Sequence, residues 1–261
     1  MNNIRPAAVA GMFYPDDKNQ LSEEINKYLS ASEVNIPPPK AIIAPHAGYV
    51  YSGPIAASAY TSLIPVKDKI KKVVLLGPAH QIPFSGIVAP TTDGFATPLG
   101  VVPVDQKSIE KIISLPQIAR MGNAHDQEHS LEVQIPFLQT ILNEFELIPL
   151  LVGDANEKDV AEVLQQLWGD DKTLIVVSSD LSHYKDYATA QQMDRATSVA
   201  IENLQPEHIH YDMACGRNTV NGLLELAKQK GLKAQTLDLR NSGDTAGAKD
   251  RVVGYGAYAF H

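Results

Sequence analysis

Lys40-Ala-Ile-Ile-Ala-Pro-His-Ala-Gly-Tyr-Val-Tyr-Ser-Gly53 is the stretch whose reading decides the fold. Ala41 to Ala44 is a short apolar run closed by Pro45, the pattern of a buried strand. His46 is thereby delivered just past a strand's carboxyl end. A helix opening at Ser52 or Gly53 and running through Ile55, Ala56, Ala59 and Tyr60 has the small residues that let it pack closely on a sheet. The same order returns at Lys71-Lys-Val-Val-Leu-Leu-Gly-Pro-Ala-His80, and again at Thr173-Leu-Ile-Val-Val-Ser-Ser-Asp-Leu-Ser-His-Tyr184. Repeated strand, turn and helix predict an α/β fold with parallel strands, whose ligand crevice lies at the strands' carboxyl ends. His46, His80 and His183 all fall at such ends. Taken singly, a loop histidine is more often a hydrogen-bonded structural group than a ligand.

Around these units the chain reads as ordinary globular protein. Arg5-Pro-Ala-Ala-Val-Ala-Gly-Met-Phe-Tyr-Pro15 has neither helical nor strand period and is expected to lie as an irregular arm over the core. Asp16 and Asp17 precede a helix through Leu21, Ile25, Tyr28 and Leu29. Gly86 to Pro90 and Leu147 to Val152 read as strands, and Thr91 to Gly100 as a hairpin or loop bearing Phe95. Helices are expected over Asp105 to Leu115, Glu157 to Trp168 and Ala188 to Asn203, with closing strands at Ala234 to Leu239 and Arg251 to Phe260. Asn241 to Gly247 reads as a flexible loop able to cover the crevice.

Ala124 to Gln134 holds His125, Asp126, Glu128, His129 and Glu132, the densest group of ligand-capable side chains. A helix starting at His129 and Ser130, with Pro136 as a bend, makes a solvated cap the competing reading. Cys215 stands before a helix carrying Leu223, Leu224 and Leu226, a place where a thiol's pKa is lowered. A buried, inert cysteine is the bland alternative.

The formal net charge of −8 argues against a nucleic-acid partner, which needs a basic face. With a single cysteine no intramolecular disulfide forms, and a reducing, cytoplasmic compartment suits the free thiol. No signal-peptide pattern opens the sequence, and no apolar run is long enough for a bilayer, so no membrane association is expected. His46, His80 and Cys215 together supply two imidazoles and one thiolate, a set suited to Fe(II), Zn(II) or Cu with positions open to substrate.

Arg5 to Pro15, Pro45-His-Ala-Gly-Tyr49, Gly77-Pro-Ala-His80, Glu128-His-Ser-Leu-Glu132, Ser178-Ser-Asp-Leu-Ser-His183 and Cys215-Gly216 together resemble the Memo family, nearly end to end. That family is similar in fold to the class III extradiol dioxygenases, non-haem iron enzymes. The resemblance implies one three-layer α/β/α domain over residues 1–261, built on a central, mostly mixed sheet. It places the metal ligands at His46, His80 and Cys215, and Asp180 and His183 in the same pocket. Glu128 and His129 match a nearby acidic-histidine pair. In the dioxygenases the third ligand is a carboxylate, and a thiolate there changes redox potential, so ring cleavage does not carry over with the fold.

These implications favour a metal-dependent oxidoreductase, with Fe(II) ahead of Cu or Zn, acting on a small or aromatic substrate. His183 is then expected as general base or acid, Asp180 as the group fixing its orientation, and His129 as a contact for oxygen or substrate. The resemblance also implies two further readings: a non-catalytic module binding phosphopeptide or protein in the reused pocket, and a genomic link to a radical S-adenosylmethionine protein. A zinc hydrolase is open to the same ligands. A serine triad from Ser178, Ser179 or Ser182 with His183 and Asp180 is disfavoured, since residues so close on one turn seldom converge and no Gly-x-Ser-x-Gly elbow is present.

Overall fold

The apolar runs pair side by side in the computed structural model, which describes residues 3–261. In chain order the elements are β1 (Ile4–Arg5), α1 (Lys18–Ser30), β2 (Ala41–Ala44), α2 (Tyr49–Thr61), β3 (Lys72–Pro78), β4 (Ile87–Ala89), β5 (Gly94–Thr97) and β6 (Gly100–Pro103). There follow α3 (Gln106–Ile112), β7 (Ile118–Arg120), α4 (Gly122–Asp126), α5 (Ile135–Ile141), β8 (Glu146–Val152), α6 (Glu157–Leu167) and β9 (Thr173–Ser178). The chain closes with β10 (His183–Lys185), α7 (Tyr187–Glu202), α8 (Arg217–Lys230), β11 (Ala234–Asn241) and β12 (Val252–Phe260).

The large sheet has nine strands in the order β10-β12-β2-β9-β3-β8-β4-β7, with β11 also paired to β12. Its centre, β2-β9-β3-β8, is parallel throughout, while β12 and β4 join it antiparallel. Every residue of β2 and of β9 is buried. Strands covered on both faces need continuous apolar runs rather than alternation, which is the pattern Ala41 to Ala44 and Thr173 to Val177 present. Helices α1, α2 and α5 pack together as one outer layer, and α3, α6 and α8 as the other. A three-stranded sheet, β1-β5-β6, sits apart and takes up the amino-terminal arm. No helix among the described residues is long and apolar enough to cross a membrane.

Because the four central strands run in parallel, the loops leaving them share one edge. β9 lies between β2 and β3, so Ser178-Ser-Asp180 emerges between the loops carrying His46 and His80. The spacing of the sheet sets this meeting, since neighbouring strands lie only about 4.8 Å apart.

Several local expectations differ from the structure. Helix α2 opens at Tyr49 rather than Ser52, because the Gly48 carbonyl accepts from Ser52 N–H at 3.1 Å and Tyr49 N–H donates to Phe13 O at 2.7 Å. Pro136 falls in the first turn of α5, directly after a 3-10 turn over Glu132–Gln134, where its missing N–H costs nothing. The carboxyl end of β9 is Ser178, and His183 instead opens the short β10, which pairs with Val253 of β12. Asn241 to Gly247 is no loose cover: it forms a 3-10 turn over Ser242–Asp244 held by a capping box, and the Ser242 hydroxyl accepts from Val253 N–H at 3.1 Å. The cleft described below is lined without it.

A histidine and cysteine site at the sheet's carboxyl edge

His46 is shaped by its neighbours on both sides of the ring. Its main-chain N–H donates to Asp180 Oδ1 at 2.7 Å, which ties the loop after β2 to the loop after β9. Its Nδ1 lies 2.9 Å from Ser178 Oγ. That hydroxyl donates to Ser130 O at 2.6 Å and accepts from Gln134 Nε2 at 2.7 Å. Its one proton being committed to Ser130, Ser178 accepts from the ring, so Nδ1 carries the imidazole hydrogen and Nε2 keeps its lone pair. Gln134 is itself oriented, donating to Pro45 O at 2.9 Å and accepting from Tyr60 at 2.8 Å. Burial, and then the neighbouring His80, His129 and His183, hold the His46 pKa well below the usual imidazole value. The ring is therefore neutral, the form that ligates.

Glu128 performs the equivalent task for His80. Its Oε1 accepts from His80 Nδ1 at 2.9 Å and its Oε2 accepts from His80 N–H at 2.5 Å. Burial opposes the carboxylate, but the hydrogen bonds and charge of His80, with the Ser130 N–H, outweigh it and bring its pKa down to about 2. The same Oε1 lies 3.3 Å from His129 Nδ1. His129 stacks on His80 with centroids 4.7 Å apart and 21° between planes, and meets His46 edge-on at 5.5 Å. The carboxylate thus faces the Nδ1 side of two imidazoles at once.

Cys215 arrives from the opposite direction, immediately before Gly216 at the cap of α8. Its sulfur lies 3.3 Å from His46 Nε2 and accepts from Asp180 N–H at 3.3 Å. A side chain at Gly216 would come within 2.8 Å of Ser178 O, and that main-chain oxygen cannot yield, so only glycine lets α8 start this close to β9. The expected lowering of the thiol pKa is overturned. Burial, reinforced by the Asp180 charge, pushes it up to about 12. Cys215 Sγ and one ring nitrogen each of His46 and His80 lie within 4.8 Å of one another.

The remaining expected residues take definite places. Asp180 is buried, which pushes its pKa up to about 6 against the hydrogen bonds from His46 and Ala47 N–H. It braces the His46 loop rather than His183, whose Nδ1 instead faces Leu181 O at 2.8 Å. His183 lines the same cleft as His80 and Cys215, about 620 Å³ in volume, within the range of small-molecule sites. Tyr184, at the adjoining lip, is held at φ 58°, a left-handed conformation that costs a bulky residue energy.

The solvated-cap reading of Ala124 to Gln134 does not hold: His125, Glu128, Ser130, Glu132 and Gln134 are all buried. Glu132 receives Arg5 Nη1 at 2.6 Å, Tyr14 OH at 2.6 Å and the N–H groups of Ala8 and Val9 at 2.8 and 3.0 Å. Arg5 adds bonds to His125 O at 2.6 Å and Glu128 O at 2.8 Å. The amino-terminal arm is therefore the clamp on the segment that presents Glu128 and His129. The chain from His46 through Ser178 to Ser130 and Gln134 is not legible in the sequence. Nothing local distinguishes them, since each acts through a residue far away in the chain.

The donor set fits a metal ion. Two imidazoles have Nδ1 facing a fixed oxygen acceptor and Nε2 turned away from it, and a thiol stands beside them, the arrangement of oriented ligands with outer partners.

A family model described as "Memo-like protein" matches residues 5–259. A "MEMO1 family protein" of Aquifex aeolicus (strain VF5) is 38% identical over 264 residues, covering 97% of each chain. A second, from Nitrosopumilus maritimus (strain SCM1), is 34% identical over 275 residues and covers 98% of this chain and 99% of its own. A solved structure of an uncharacterized protein from Escherichia coli K12 aligns with a TM-score of 0.47 at 14% identity, covering 83% of this chain and 98% of that one.

Proposed function

This chain belongs to the Memo family, and from that premise we propose that it is a metal-dependent oxidoreductase acting on a small or aromatic substrate in the cleft beside His46, His80 and Cys215. The observation that carries the proposal is the convergence of those three ligand atoms, from three separate segments, within 4.8 Å, with His80 and Cys215 lining the cleft and His46 buried beside them. Iron(II) is the ion proposed, with copper or zinc accepted by the same donors; when bound, iron or copper supplies a site for dioxygen and for one-electron chemistry.

Each residue has a task that its own contacts suggest. His46 and His80 offer Nε2 because Ser178 and Glu128 occupy their Nδ1 sides. Cys215 contributes sulfur once its proton leaves. His183, with Nδ1 facing the Leu181 carbonyl, keeps Nε2 free to take a proton from a hydroxyl in the cleft, the work of a general base. His129 flanks His80 and is placed to touch whatever lies beside it. Asp180 holds the His46 loop and receives the Cys215 backbone, whose N–H donates to Asp180 O at 3.2 Å.

Serine chemistry is disfavoured by the contacts of its candidates. Ser178, Ser179 and Ser182 are fully buried, Ser178 spends its proton on Ser130 O, and Ser179 spends its own on Asp180 O at 2.8 Å. A purely peptide-binding module would have no use for a ligand set oriented by outer partners.

The deciding experiment is anaerobic purification with elemental analysis of the wild type and His46→Ala, followed by dioxygen uptake on the reduced proteins. Near-stoichiometric iron or copper lost in the variant supports the reading. Equal trace metal in both removes it.

A further inference from the structure

Asp194 is a buried acid with no part in the contacts described so far. It stands on α7 at 2% exposure and forms no ion pair among the described residues. Burial pushes its pKa up to about 6, against the Ser182 hydrogen bonds and the nearby His183. Near neutrality it is therefore a carboxylate enclosed without a cation, a state that costs free energy unless hydrogen bonds offset it. Packing alone does not ask for a charge there, since the buried face of α7 is otherwise Ala190, Thr197, Ser198, Ala200 and Ile201.

The carboxylate is aimed at the turn that precedes His183. Its Oδ1 accepts from Ser182 N–H at 3.0 Å. Gly254 of β12 permits the approach, because a side chain there would run into the Asp194 carboxylate. The same glycine ties the turn from the other side: its O accepts from Leu181 N–H and its N–H donates to Ser182 O, both at 2.8 Å. The turn thus hangs on β12 by two bonds and on α7 by one. With those groups taken, the Leu181 carbonyl is left for His183 Nδ1 at 2.8 Å. A carbonyl only accepts, so Nδ1 carries the hydrogen of the neutral ring and Nε2 stays bare. Beyond His183 the chain is held less firmly. Strand β10 pairs with β12 through His183 and Lys185, its register shifts between them, and Tyr184 there has φ 58°. Such a conformation costs about 1–3 kcal/mol and persists only where its surroundings fix it.

We infer that Asp194 is a positioning residue for His183: from α7 it holds the Ser182 N–H and so fixes the turn whose Leu181 carbonyl orients the ring, leaving Nε2 free for a proton. A charged acceptor makes the stronger hydrogen bond, which gives a carboxylate a use where a neutral side chain would pack as well. Asp194 does not line the cleft and acts through Ser182. Asp180, nearer to His183 in sequence, is taken up by the His46 loop. This inference rests on reading His183 as the acid–base group of the cleft, but the orientation of the ring is measured without turnover and without an ion.

The test reads the two ring nitrogens of His183 by nitrogen NMR of the full chain, loaded with zinc, which is diamagnetic, and again after chelation; His183→Gln assigns the signals. At about pH 9, where an imidazole is neutral, wild type is expected to show hydrogen on Nδ1 and a bare Nε2, with and without zinc. Asp194→Ala is expected to lose that single pattern to a mixture of both tautomers. Its Ser182 N–H should exchange with solvent about 10- to 100-fold faster while the β9 amides exchange as before. Asp194→Asn keeps an oxygen for Ser182 and loses the charge, so the ring pattern stays and Ser182 exchange rises roughly threefold to tenfold; this variant carries the test if the alanine variant unfolds. The Nδ1 pattern kept in Asp194→Ala, Ser182 exchange unchanged in Asp194→Asn, or β9 amides accelerated as much as Ser182 overturns the inference. A pattern present with zinc and absent without it overturns it too, since the ion would then orient the ring. Failure to bind zinc removes the metal reading and leaves this test standing, because the zinc-free spectrum carries it.

Discussion

His46 Nε2 lies 3.3 Å from the Cys215 sulfur across 169 positions of sequence. The ring's other nitrogen faces Ser178, so the lone pair and the sulfur face each other by construction. Between a neutral imidazole and a protonated thiol this is a weak hydrogen bond. An ion taking its place has two donors already aligned.

Metal uptake should therefore be steeply pH-dependent. The thiol is pushed up to about 12, so it is protonated in the free protein throughout the neutral range, and ligation must displace that proton. His46, held neutral, has none to lose. Zinc affinity measured against a competing chelator is expected to rise about tenfold per pH unit between roughly pH 7 and 9. Cys215→Ser should flatten that slope. A wild-type affinity independent of pH would remove Cys215 from the ligand set.

Replacing Glu128 by Gln keeps the shape and breaks the double contact with His80, because an amide nitrogen now faces the His80 N–H or Nδ1–H. Loss of an outer partner of this kind weakens metal about 10- to 100-fold. The same variant tests acid stability. The Glu128 carboxyl is brought down to about 2 from an ordinary 4.5, so its contribution is present above about pH 4.5 and is lost as pH falls from there toward 2. Denaturation curves taken down that range should be shallower for Glu128→Gln than for wild type.

Ser178→Ala removes the acceptor for His46 Nδ1 and for Gln134. Metal affinity should fall about tenfold or more. Serine-directed phosphonates should label neither protein. A labelled Ser178 would restore the hydrolase reading at once.

Arg5→Met leaves the Glu132 carboxylate buried without its cation. Breaking a buried pair from one side costs about 3–5 kcal/mol, which for a chain of this size lowers the unfolding midpoint by on the order of 10 °C. Proteolysis should then cut first between Pro6 and Pro15, the arm that Glu132 holds through Ala8, Val9 and Tyr14. A midpoint unchanged from wild type would show that the arm is not a clamp.

The sequence by itself determined the buried strands, since runs such as Ala41 to Ala44 and Thr173 to Val177 have no other place to go than a doubly covered sheet. It also determined that His46 and His80 leave strand ends, because Pro45 and Pro78 stand at the ends of those runs. What only the tertiary structure decided is how those groups behave. Insertion of β9 between β2 and β3 brings Ser178 to His46, and the clamp of Arg5 on Glu132 turns a charged cluster inward so that Glu128 reaches His80. Cys215 shows the division most sharply. Its place before a helix suggested a thiolate, and burial beside Asp180 made it a thiol. Strand and helix patterns depend on near neighbours in the chain, whereas desolvation and the charges facing a group depend on segments that meet only after folding.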